Sequence, residues 1–275
     1  MCLTAFYWDP SHPAYRLVVL CNHDERFQLK TKPLHFCEEK KAGHVLAPTE
    51  ELGGTTWFGL SVRGGRIAIL SNVRSVDEVA KAETGQSMDK LRSRGDIPME
   101  FLLSEVDPLK HLKGLRKRSM RFNGFNLLAG DFEKLYFYNN VRRRYRPEEV
   151  TPGLHTISNG VGMDTQWPKE KFVKDRLTSI MREVRQLGDL EDRMSDLFGI
   201  MSTVGRFADA ELPDTGVGLE WERLLSSVFV SGNSKFGTHT TTVLILDQKG
   251  CCTMMHRQYG PHSQGITAES TQVFQ

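Results

Sequence analysis

The chain has 275 residues, enough for a substantial core in one large domain or two small ones, and its 39% hydrophobic and 25% charged content is that of an ordinary globular protein. A net charge of +2 gives no broad electrostatic basis for binding nucleic acid. No apolar run approaches the roughly 18 to 20 residues that span a bilayer, so a transmembrane segment is excluded. The five cysteines lack paired spacing, no Asn-x-Ser/Thr sequon occurs, and no basic region leads into an apolar run at the start, which together predict a reducing, cytoplasmic setting. Acidic residues at Asp9, Asp24 and Glu25 argue against a cleaved mitochondrial presequence and leave other routes into that organelle open.

Cys2 to Trp8 reads as the first strand. Removal of Met1 would leave Cys2 with a thiol and a free α-amine, a nucleophile and a base of pKa about 7.7 to 8.0 on one residue. The plainer reading is a small residue that starts a buried strand. A turn at Asp9-Pro10-Ser11-His12-Pro13 leads into a second strand, Tyr15 to Cys21, and the hairpin delivers Asn22-His23-Asp24-Glu25 to the strand end. Gln28 to Glu51 reads as a long polar loop. Trp57 to Val62 and Arg66 to Leu70 flank Arg63-Gly64-Gly65 as a second hairpin, which ends in Ser71-Asn72-Val73-Arg74.

Val76 to Gly95 reads as a charged loop, and Pro98 to Arg118 as two short helices separated at Pro108. Lys110, Lys113, Arg116, Lys117, Arg118 and Arg121 form one basic run and Arg142 to Arg146 another; each is either a solvated face or a site for phosphates or carboxylates. Strands are expected at Phe125 to Ala129, Leu135 to Tyr138 and Gly153 to Asn159. Helices should begin at Trp167-Pro168 and at Leu190, each with an apolar stripe for the core, and a third covers Leu219 to Leu225. Val228 to Val230, Thr238 to Leu246 and Cys251 to Tyr259 read as strands. With no repeat and no composition break, a single domain over 1–275 is expected, its residues 260–275 a polar tail free to move. Hairpins at both ends with helices between them give an α+β fold of sheets covered by helices.

Met1-Cys2, Cys21-Asn22-His23-Asp24-Glu25, Gly54-Thr55-Thr56-Trp57-Phe58-Gly59, Ser71-Asn72-Val73-Arg74, Ser93-Arg94-Gly95, Gly124-Phe125-Asn126, Leu154 to Asn159, Trp167-Pro168-Lys169 and Phe236-Gly237-Thr238-His239 occur in an order that resembles the transport and Golgi organisation protein family. That family is also called NRDE after its Asn-Arg-Asp-Glu motif. The resemblance implies a four-layer αββα sandwich of the N-terminal-nucleophile hydrolase type. It also implies catalytic roles for Cys2 as nucleophile, Asp24 against the amine, and Asn72 and Asn159 as oxyanion donors. Asn22, His23, Arg74 and His239 would bind ligand. Two positions depart from the family pattern: His23 and His239 stand where it has arginine, which replaces a permanent carboxylate-binding fork with a titratable ring.

Relatives in the family are linked to haem mobilisation, to mitochondria and cytoplasm, and to lipid or acyl-CoA metabolism. The resemblance therefore implies an intracellular haem-handling protein, with haem a transported ligand rather than a covalently bound cofactor. The side chains able to serve as axial ligands are Cys2, His23, His239, His256 and Met254 or Met255. The alternatives are a Cys2-dependent amidase or thioesterase acting on acyl or acyl-CoA-type substrates, and a scaffold of the secretory pathway at the Golgi. No nucleic-acid partner, bound metal or membrane span is expected.

Overall fold

The computed structural model describes residues 2–38, 42–77, 91–141, 146–231, 235–261 and 264–275. In chain order its elements are β1 (Cys2–Trp8), β2 (Tyr15–Arg26), β3 (Thr31–Phe36), β4 (Val45–Glu50), β5 (Phe58–Ser61), β6 (Arg66–Asn72), α1 (Asp96–Leu102), α2 (Pro108–Arg118), β7 (Phe125–Gly130), β8 (Leu135–Asn139), β9 (Glu148–Glu149), β10 (Gly153–Ile157), α3 (Pro168–Glu183), α4 (Met194–Met201), α5 (Leu219–Leu225), β11 (Phe236–Asp247), β12 (Cys252–Tyr259) and β13 (Ile266–Phe274). The strands form two antiparallel sheets, so the α+β class read from the sequence holds. Two compact units result, one of Met1–Leu29, Thr151–Ser158 and Asp164–Gln275, the other of Lys30–Val150 and Asn159–Met163.

In the first unit the strand order is β10-β1-β2-β11-β12-β13. Alternation sends Leu3, Ala5, Val18, Leu20, Val243 and Ile245 to one face, where Val173 and Leu177 of α3 and Leu197, Phe198 and Met201 of α4 cover them. Each of the larger side chains contributes about 1.5 to 3 kcal/mol on leaving water. Glu170 sets the start of α3 by accepting the Trp167 N–H at 3.1 Å, with Pro168 in the first helical position. The Tyr15 hydroxyl ties β2 to the α3–α4 connection, donating to Glu191 and accepting the Gly188 N–H at 2.8 Å.

The second unit orders its strands β3-β4-β5-β6-β7-β8-β9. Ile97, Phe101 and Leu102 of α1 and Leu112 and Leu115 of α2 pack on Val45, Ala47, Ala68, Leu70, Leu127 and Ala129. α1 packs closely at Gly59, where a Cβ would lie 2.7 Å from Leu102 Cδ1 and 3.2 Å from Ala47 Cβ, so a larger residue would require Leu102 to change rotamer. Asp107 caps α2 by accepting the Lys110 N–H at 2.8 Å.

Several expectations are corrected. The stretch from Gln28 to Glu51 holds β3 and β4 rather than one long loop, and Asn22 to Glu25 lie inside β2, not beyond its end. Val228 to Val230 is irregular backbone, and the polar stretch after Gly260 contains strand β13 at the sheet edge. Met1, the basic residues 142–145, residues 232–234 and residues 78–90 of the charged loop lie outside the described residues. All five cysteines are free, and among the described residues no helix is long and apolar enough to cross a membrane.

Candidate functional site

Register decides which side chains meet. Cys2 pairs with His23 across β1–β2, and His23 pairs with Thr240 across β2–β11, so the three share one cross-strand row. Two residues further along the same face come Thr4, Cys21, Thr242 and His256, followed by the apolar row Phe6, Val19, Leu244 and Met254. This face is therefore polar at its Cys2 end and apolar beyond, and every one of these residues is buried.

In the first polar row Cys2 Sγ lies 3.2 Å from His23 Nδ1. Thr4 donates to Cys21 Sγ at 3.4 Å, and Thr242 Oγ1 lies 2.9 Å from His256 Nδ1. The hydrogen bond with the Cys21 thiol, together with burial, pushes the Cys2 thiol well up, while burial holds His23 well below the ordinary histidine value. Both partners are neutral near pH 7. The pair is a thiol beside a proton acceptor, not a thiolate–imidazolium ion pair.

Asp24 follows His23 and turns to the opposite, helix-covered face. Its Oδ1 accepts the Thr238 hydroxyl at 2.7 Å. Burial raises its pKa, against the pull of the Lys169 cation and the Thr238 bond. Lys169 is itself buried, with its ammonium donating to the Leu225 carbonyl at 2.9 Å. Asn22, on the same face, donates to the Met201 and Val228 carbonyls at 2.8 and 2.9 Å and accepts from Thr241 at 2.6 Å, which makes it a clamp between β2 and the end of α4. His239 occupies the bulge between Thr238 and Thr240; its half-buried ring lies 5.0 Å from that of Phe27, and burial lowers its pKa.

Asn72, Arg74 and Asn159 belong to the second unit and meet there. The Asn159 amide donates to the Asn72 carbonyl at 2.8 Å, and the Arg74 N–H donates to the Asn159 carbonyl at 2.7 Å. The turn after Asn159 is held by Asn126, which donates to the Gly160 carbonyl at 2.8 Å and accepts from the Asn139 amide at 2.5 Å. Sequence reasoning gave no role to Asn126, Asn139 or Lys169. The signal for Asn126 was there, since an amide inside the apolar run Phe125 to Ala129 must find a partner when buried.

A sequence profile of the family described as Transport and Golgi organisation 2 matches residues 1–261. The chain belongs to that family. Among curated Transport and Golgi organisation 2 relatives, a bovine homologue is 29% identical over 274 residues, covering 94% of this chain and 92% of its own length. A human homologue is 28% identical over the same span and shares, and a mouse homologue 27% identical over 272 residues.

Proposed function

We propose that this family member is a thiol-dependent acyl hydrolase, acting on an amide or thioester, with Cys2 as nucleophile and His23 as its base. The 3.2 Å approach of Cys2 Sγ to His23 Nδ1 carries this reading. As the sulfur attacks the acyl carbon, its proton passes to Nδ1; the imidazolium then protonates the departing amine or thiol, leaving a thioester on Cys2. Water hydrolyses that thioester, with Nδ1 taking its proton and returning it to sulfur. Because the pair starts neutral, proton transfer and attack are coupled, as in a serine–histidine pair. The proposal includes the implied four-layer αββα scaffold, supported by helices on one face of each sheet.

A panel of acyl thioesters and p-nitrophenyl esters tests it. Cys2→Ala should lose at least about 10³-fold in kcat/KM. The acid limb of the pH profile should lie below about 6.5, because the base is an imidazole whose pKa is lowered, whereas an α-amine base would place it near 8. No turnover by the wild type, or turnover indifferent to Cys2→Ala, overturns the reading.

A second reading, haem handling, is favoured by His239. It is part-exposed and held neutral, the form of imidazole that ligates iron, whereas Cys2, His23, His256 and Met254 are buried. Titration with haemin should give a saturable Soret change that His239→Ala abolishes; a non-saturable change removes this reading. The relatives' names, which speak of transport and Golgi organization, suit a carrier. Cytoplasmic or mitochondrial residence belongs to the same proposal.

A further inference from the structure

Helix α2 carries a charge pattern that its own stability does not explain. Leu112 and Leu115 are fully buried, while Lys110, Lys113, Arg116 and Lys117 are exposed, as are Met120 and Arg121 just beyond the helix. At 100° per residue, Lys110, Lys113 and Lys117 fall on one stripe opposite those leucines. From Pro108 to Gly130 the sequence has six Lys or Arg and no Asp or Glu, in a chain whose 36 basic residues are almost balanced by 34 acidic ones.

The cations of the last turn, Arg116, Lys117 and Arg118, sit favourably at the negative end of the helix dipole, and Arg118 also pairs with Glu100. Lys110 and Lys113 have no such reason. They occupy the first two turns, where a cation is unfavourable, and at spacings of three and four residues the stripe's lysines repel one another. Among the described residues no salt bridge engages Lys110, Lys113 or Lys117. Met120, 68% exposed, adds an apolar side chain beside them, and the loop entering the helix exposes Val106.

We propose that the exposed face of α2 docks on an anionic phospholipid surface. Clustered lysines on an amphipathic helix with an adjoining apolar side chain match a bilayer whose headgroups are negative: the ammonium groups lie among the phosphates and carboxylates while Met120 reaches the acyl boundary. This is peripheral attachment and needs no spanning segment. It stands apart from the chemistry of Cys2, because α2 lies in the second unit and Cys2 in the first.

Co-sedimentation of the full chain with phosphatidylcholine vesicles containing about a third phosphatidylserine tests the proposal. Each lysine near such a surface raises the partition coefficient by roughly fivefold, so Lys110→Glu, Lys113→Glu and Lys117→Glu combined should lower it by about 100-fold or more. Replacing all three with Gln, which retains helix propensity and adds no repulsion, should give about the same loss, and near-UV circular dichroism of both variants should match the wild type. Binding should also weaken as salt rises. Equal binding to pure phosphatidylcholine, a triple variant that binds like the wild type, or tighter binding to an RNA homopolymer than to the acidic vesicles overturns it.

Discussion

At position 23 stands an imidazole, and β1–β2 register sets that ring against the thiol of Cys2. An arginine would bring a fixed cation to the sulfur; a histidine held neutral brings a proton acceptor. His23→Arg should therefore raise the rate at which iodoacetamide alkylates Cys2 at neutral pH, because the cation favours the thiolate. It should also cost about 2 to 4 kcal/mol in urea unfolding, since a charge is then buried. Intact-mass labelling reads the first effect, and an unchanged rate would mean that the two side chains do not sense each other. Cys2 and the cluster from Asn22 to Glu25 both stood out in the sequence. That His23 shares a face with Cys2 while Asp24 faces the helices did not, because facing follows from how far β2 continues, and β2 continues because β11 pairs with its polar half.

Among elements, the hairpins β1–β2, β5–β6 and β11–β12 were legible because apolar strands flank turn residues, and the break between α1 and α2 was legible at Pro108. The edge strands β3 and β13 were not. Half of β3 is exposed and it contains Pro33, and β13 alternates between exposed and half-buried, so neither carries the apolar signal on which sequence reading relies. The second unit also depends on an amide network that hydrophobic patterning cannot show. Replacing Asn126 with Leu deprives the Asn139 amide of its acceptor and the Gly160 carbonyl of its donor, at a cost of about 2 to 3 kcal/mol. Asn126→Leu combined with Asn139→Leu should cost less than the sum of the single changes, as urea denaturation would show; strict additivity would indicate that the two amides are independent.

Across the whole molecule, burial holds His12, His23, His111, His239 and His256 below their ordinary value, the last at about 3. These rings stay neutral in the fold while the unfolded chain takes up protons below about 6.5, so stability is full above that pH and declines as pH falls. His256, fully buried, alone contributes a slope that approaches about 1.4 kcal/mol per pH unit well below 6.5 and averages about 1 between pH 7 and 5. Urea midpoints from pH 7 to 5 should decline, and His256→Gln should flatten that decline by about this slope; a variant as pH-sensitive as the wild type would exonerate the ring. Asp164 acts lower on the scale. Burial alone would raise its pKa, but bonds from His155 and Lys174 draw it down to about 2, so its contribution is present above about 3.9 and is lost as pH falls through 2.

The pairing of β2 with β11 also has a consequence for synthesis. Asp24 and Thr238, which bond across those strands, are 214 positions apart. At about 5 to 20 residues per second, a ribosome takes roughly 10 to 40 s to make the chain between them. For that time β2, with Val18, Val19 and Leu20 at its centre, has its later neighbour still unmade, while Lys30–Val150 emerges as one continuous stretch able to begin its own sheet. The nascent chain is therefore most prone to mispairing at its beginning, and the order of translation, more than the strength of any contact, sets how long the strand carrying His23 must wait for its partner.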